Sequence, residues 1–201
     1  MLKTAYSLFA AFPMYILVLA CACVAADGQA ASQAGQKLSL NAALLLTPEF
    51  CATVRTGKYG NTKETYQFGE AACARLEPAL RNVFPSLTRV EALSSAADAQ
   101  VVLIPKFLDV ATKNGLALHR EMVITVEWTV KDKLGKTVWI ETAQGTARNS
   151  SGNSFTYKKN LKKTVEDSVE SMAEDSASKM AASPELRKVA GGSSSSEPVK
   201  N

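Results

Sequence analysis

Histidine is almost missing from this chain: among 201 residues there is one, His119. A multi-histidine metal centre is thereby excluded, and a Ser-His-acid triad has only one residue to draw on. No glycine-rich phosphate loop of the P-loop or dinucleotide type occurs, although the chain has 11 glycines. A surplus of one charge sign is also lacking. The formal charge is +4, and Lys3 is the only charged residue before Asp27, so the remainder is nearly balanced. Lys158, Lys159, Lys162 and Lys163 cluster, but Glu166, Asp167, Glu170, Glu174 and Asp175 follow at once, as on a solvated helix face. Nucleic acid, which requires a concentrated basic face, is not an expected partner. Glycosidase chemistry needs two carboxylates in a cleft, and the acids fall mainly on exposed helix positions or at turns; Asp109, Asp132 and Glu141 are the ones that stay open for it. No catalytic residue, metal ligand or cofactor is assigned, and the chain is not expected to be an enzyme.

What the chain does have is a long uncharged start. Met1-Leu2-Lys3 supplies a positive end, and Ala5 to Ala26 then runs without a charge, rich in Leu, Ala, Val, Phe and Tyr. This is the layout of an export signal, assigned to residues 1–26. The stretch is also long enough to span a bilayer, so an uncleaved anchor is the rival reading, against which Pro13 and the small-residue end argue.

That end reads Leu17-Val18-Leu19-Ala20-Cys21 and resembles the lipobox of bacterial lipoproteins. The resemblance implies acylation of the Cys21 thiol and cleavage just before it, and Ala22 in the next position implies the periplasmic face of an outer membrane. Several buried acyl chains hold a domain stably on a bilayer. The alternative is ordinary cleavage after Val24-Ala25-Ala26, which releases a soluble periplasmic or secreted protein.

Residues 27–36, made of Asp, Gly, Gln, Ala and Ser, read as a flexible tether, and residues 189–201 as a polar, disordered tail. One domain is expected over 37–188, a size that can bury a core without dense cross-links. Its first strand is marked by Leu38, Leu40, Ala42, Leu44 and Leu46 alternating with Ser39 and Asn41. Thr56 to Thr65, with Gly57, Gly60 and Asn61, reads as a surface loop. Helical spacing runs from Phe68 to Phe84, where Pro78 predicts a kink or local break. Strands follow at Leu87 to Leu93 and at Gln100 to Val110. Asn114-Gly115 marks a hairpin turn, leading to the clearest strand in the chain. There Leu116, Leu118, Met122, Ile124, Val126, Trp128 and Val130 face a core, and His119, Glu121, Thr125, Glu127 and Thr129 face water. A second turn at Asp132 to Lys136 returns a strand over Thr137 to Ala147. Leu161, Val165, Val169, Met172 and Met180 then stripe a helix ending at Ser183-Pro184. The expected order is β-α-β-β-β-β-α, an α+β fold with a mainly antiparallel sheet and helices on one face.

Cys51 and Cys73 remain in this domain. Outside the cytoplasm two such thiols commonly pair, and the alternative is two buried free cysteines.

Cys21, Ala97-Asp98-Ala-Gln-Val-Val-Leu-Ile104 and Asp132-Lys-Leu-Gly-Lys-Thr-Val-Trp139 together resemble small bacterial envelope lipoproteins, over about residues 67–147. In layout they are similar to the lipoprotein of the lipopolysaccharide-assembly machine and to other envelope-accessory lipoproteins. The resemblance implies an exported, lipid-anchored accessory protein that binds an envelope protein or glycolipid. No ligand-binding residue carries over. Two alternatives are a carrier holding a small apolar molecule among Met122, Trp128, Met172 and Met180, and, behind it, a hydrolase.

Overall fold

The computed structural model describes residues 37–59, 62–114, 119–150 and 156–192. Cys21, the tether at 27–36, Leu116, Leu118 and the last residues of the tail lie outside the described residues. Strand β1 (Asn41–Leu45) leads through a short helix α1 (Pro48–Cys51) and a hairpin, β2 (Arg55–Tyr59) and β3 (Thr62–Tyr66), into helix α2 (Phe68–Arg81). Strand β4 (Ser86–Val90), a 3-10 turn (Leu93–Ala96) and three 14-residue strands follow: β5 (Val101–Asn114), β6 (His119–Asp132) and β7 (Thr137–Ser150). Helices α3 (Tyr157–Ala182) and α4 (Pro184–Gly192) close the chain. The main sheet has the order β4-β1-β5-β6-β7. β1 is parallel to both its neighbours, and β5, β6 and β7 are antiparallel. The fold is α+β with helices packed against a mainly antiparallel, partly mixed sheet.

The parallel pairings explain why the first strand departs from simple alternation. Ala42 to Leu46 are all buried, because two connections cross from opposite sides of the sheet. Helix α2, between β1 and β4, covers one face. The segment 91–100, between β4 and β5, covers the other, where Ala43, Leu45, Val90, Ala96, Ala99 and Val102 form a small second cluster. A parallel strand needs such crossovers and is buried on both faces by them.

Strand β6 keeps the predicted phase. Met122, Ile124, Val126, Trp128 and Val130 are fully buried, and Glu121, Val123, Thr125, Glu127 and Thr129 on the opposite face are half-exposed. The Trp128 indole N–H donates to Ser176 Oγ at 2.9 Å, and that hydroxyl donates to the Met172 carbonyl at 2.7 Å, so the buried polar atoms on this contact are paired. Thr164 and Ser168 on the same helix are buried too, bonded to the carbonyls of Asn160 and Val165. These small polar residues complete the inward stripe of α3 that apolar periodicity marks only in part.

Three expectations are corrected. The stretch 56–65 is not a loop but most of the β2–β3 hairpin, with Thr56 opposite Thr65 and Gly57 opposite Glu64. Helix α2 runs unbroken through Pro78. Pro78 and Ala74, whose carbonyl loses its N–H partner there, are both exposed, and water can take the place of that bond. The ordered chain does not end at Lys188: Ser183 caps α4 by accepting from Leu186 N at 3.2 Å, Leu186 is fully buried, and the helix runs to Gly192.

Helix α3 reaches the sheet at Gly145. A Cβ there would lie 1.9 Å from the Ser168 carbonyl oxygen and 2.4 Å from Met172 N. Gly145→Ala is therefore expected to cost about 3 kcal/mol, the upper end of overpacking. Gly135→Ala, at φ +78° with nothing within 4 Å, should cost only about 1 to 2 kcal/mol of backbone strain. Thermal melts of the two variants measure the difference. In the same assay Trp128→Ala should cost about 3–5 kcal/mol and Glu127→Ala less than about 0.5 kcal/mol. The reverse order would exchange the core and open faces of β6.

Candidate interaction surface

Apolar side chains left in water are the features of this surface that need a reason. Val54 is 48 % exposed and Leu108 42 %. Leu108 directly follows, and Val54 comes four residues after, one half of an aromatic pair: Phe50 and Phe107 stack with ring centroids 4.7 Å apart and planes 9° from parallel. Both rings are half-buried, with the core cluster beneath them.

Local chemistry holds this rim in place. On the β5 side the register with β6 shifts between Phe107 and Asp109, leaving Leu108 as an extra residue in a bulge. The Asp109 carboxylate accepts from Val110 N at 2.8 Å, which supports the bent backbone. Bulges of this kind re-aim side chains. On the other side, Thr47 caps α1 by accepting from Phe50 N at 3.2 Å, and Pro48 sits in the first turn, where its missing N–H costs nothing. Glu49, in that turn, has its carboxyl held below the usual range by a backbone hydrogen bond at Glu49 and by the Thr47 hydroxyl.

Helix α1 is too short to be stable alone, and α2 carries it. Cys51 and Cys73 are joined by a disulfide with Cα atoms 5.7 Å apart, and Gly69 N donates to the Thr53 carbonyl at 2.9 Å. Gly69 has to be glycine, because a Cβ would lie 2.3 Å from the Phe50 carbonyl oxygen. Arg89, from β4, donates to Cys51 Sγ at 3.8 Å. The outcome is an aromatic and aliphatic rim on a rigid support. In the sequence, its two halves are more than fifty residues apart.

The remaining candidates of the sequence are not gathered into a site. Asp132 Oδ1 accepts from Leu134 N and Lys136 N, both at 2.9 Å, and so builds a turn. Asp109 lies opposite Thr125, seven residues along β6 from Asp132 and about 23 Å away at strand spacing. Glu141 pairs with Trp128, on the other face of the sheet from Asp109, and accepts from Thr142 N at 3.3 Å. His119 opens β6 opposite Ser150, and its side chain lies outside the described residues. Met122, Trp128, Met172 and Met180, the residues of the carrier alternative, are all fully buried in the main cluster, where β7 and α3 touch backbone to backbone at Gly145. Among the described residues no group of three His, Cys, Asp or Glu side chains converges as a metal site, and no helix is long and apolar enough to cross a membrane.

No protein-family pattern and no curated protein matches the sequence. Among solved structures the chain is similar to protein XCC0632 from Xanthomonas campestris, of family DUF330, with 7% identity and a TM-score of 0.55 over 80% of this chain and 90% of that one. It is also similar to a minor lipoprotein from Acinetobacter baumannii, with 14% identity and a TM-score of 0.44 over 71% of this chain and 93% of that one. The first likeness is one of fold.

The bridge closes a loop with a sequence separation of 22 residues, and the chain-entropy account gives it about 3 kcal/mol. Cys73→Ser, or reductant added to the native chain, should lower the melting temperature accordingly and loosen α1. Hydrogen exchange should show faster labelling at Phe50 and Gly69 N–H while the amides of β6 stay protected.

Proposed function

We propose that this protein is an exported envelope-accessory lipoprotein, anchored through Cys21, and that its role is to bind an envelope protein or glycolipid without catalysing a reaction. The observation that carries the reading is the rim of Phe50, Val54, Phe107 and Leu108: apolar, exposed at its margin and rigidly supported. Exposed apolar groups on a firm scaffold are what recognition surfaces offer. Export is supported by the uncharged leader and by the Cys51–Cys73 bridge, a bond that persists in oxidising compartments. Anchoring is supported by the lipobox-like run ending at Cys21.

Chain direction gives the rim its usefulness. Lys37, the first described residue, enters at the end of the sheet where β1 begins, and α1 lies past the other end of β1. α1 and its rim therefore stand past the end of β1 that is farther from Lys37.

Two measurements test the reading. Cys21→Ser should abolish fatty-acid labelling and membrane association while the melt is unchanged, and persistent labelling would refute the anchor. Pull-down from solubilised membranes should recover a reproducible protein or glycolipid, and Val54→Asp with Leu108→Asp should reduce its recovery at least tenfold without lowering the melting temperature. Equal recovery by the native chain and the double variant would remove the rim from the binding surface.

A further inference from the structure

The hairpin tip between β6 and β7 carries the most exposed large apolar side chain of the described residues, Leu134, at 84 %. It is flanked by Lys133 and Lys136, both exposed, and by half-exposed Lys131. Asp132, the one acid in the tip, turns its carboxylate inward to accept from Leu134 N and Lys136 N. The turn is closed further by Gly135 N to the Asp132 carbonyl and by Asp132 N to the Lys136 carbonyl, both 2.9 Å, with Gly135 at φ +78°. The tip is therefore fixed in shape, apolar at its apex and cationic around it.

Strand register says where this tip stands. Ala42 of β1 pairs with Val101 of β5, and Val101 pairs with Asp132. The tip and the chain's entry at Lys37 thus project past the same end of the sheet. Helix α3 arrives there as well. Its side chains meet β7 in descending order, Ser171 at Thr146, Asp175 at Gln144 and Lys179 at Thr142, so α3 runs toward the start of β7 and ends about level with Ile140. The following helix α4 adds exposed Lys188. Acids toward this end include Asp98, exposed, Glu185, whose carboxylate accepts from the Ser183 hydroxyl at 2.8 Å, and Glu77, paired with Arg81 at 2.6 Å.

We infer that this end docks on an anionic phospholipid surface, with Leu134 inserted among the lipids and Lys133 and Lys136 at the headgroups. The inference rests on anchoring at Cys21. The 15 residues 22–36 are rich in Ala, Gly, Ser and Gln. A chain of that length spans at most about 50 Å at full extension, so an anchored Cys21 keeps the domain within that reach of the bilayer. An apolar apex ringed by lysines then meets a surface of complementary charge, where each lysine contributes to binding.

The test uses the full-length, processed protein reconstituted into vesicles of phosphatidylethanolamine with phosphatidylglycerol, or of phosphatidylcholine alone. An environment-sensitive fluorophore is attached through Leu134→Cys in a chain that also carries Cys23→Ser, the Cys51–Cys73 pair being bridged and Cys21 acylated. Flotation reports the anchor, and quenching by acyl-chain quenchers reports the tip. Expected are flotation on both vesicles, quenching on the anionic ones, and relief of that quenching by Lys133→Glu with Lys136→Glu, at about fivefold weaker docking for each lysine lost. Flotation with an unquenched label, or quenching that the double variant does not relieve, overturns the docking of the tip and leaves the anchor standing. Failure to float overturns the anchor, and the inference falls with it.

Discussion

The contact between helix α3 and strand β7 is the constraint on which the rest of this molecule depends. β7 is an edge strand, with backbone groups that would otherwise be open to another strand. Three side chains at four-residue spacing on α3 satisfy them. Ser171 accepts from Thr146 N, Asp175 accepts from Gln144 N at 2.8 Å, and Lys179 donates to the Thr142 carbonyl at 2.7 Å, with Asp175 and Lys179 also paired with each other. The approach is close because Ala143, Gly145 and Ala147 present little or no side chain to the helix. Once α3 is seated, Ser176 reaches the Trp128 indole, and Val165, Val169, Met172 and Met180 fill the core over β6. Burial, edge protection and helix position are one event here.

That arrangement also divides the surface. The helices occupy one face of the sheet, and the segment 91–100 covers the other only over β4, β1 and the start of β5. The long strands β5, β6 and β7 extend past β1, and their reverse face stays half-exposed, with Lys106 opposite Glu127 and Thr125 opposite Gln144. Mixed polar pairs of this sort suit a wet surface. Among the described residues, exposed large apolar side chains are found at particular places: the rim at α1 and the β5 bulge, the hairpin tip at Leu134, and isolated positions such as Ile140 and Leu93. The rim and the tip are apart because of chain direction: β1 runs from the end of the sheet that carries the tip toward α1, which stands level with the middle of β5.

Much of this was legible in the amino-acid sequence. The phase of β6 and the Asp132 to Lys136 turn rest on local signals: period-two alternation, and turn residues at fixed offsets. The α+β class follows from them. The hairpin at 55–66 was not legible, because glycines and threonines at its centre read equally as loop, and strand pairing rather than propensity decides such a segment. The buried Ser168, Ser176 and Thr164 were hidden for a related reason. A polar residue enters a core when its hydroxyl finds a carbonyl one turn back, and residue type alone does not report that partner.

The candidate rim shows the division most clearly. Sequence alone determined that Cys51 and Cys73 were available to pair and that Phe107 lay on a strand. Only the tertiary structure decided that β1 would run parallel between β4 and β5, that α1 would therefore stand beside the β5 bulge, and that Phe50 would stack on Phe107. The physical reason is range. Alternation, capping and turn chemistry act over a few neighbouring residues, whereas the order of strands is set by which arrangement buries all the apolar faces at once, and that is a property of the whole chain.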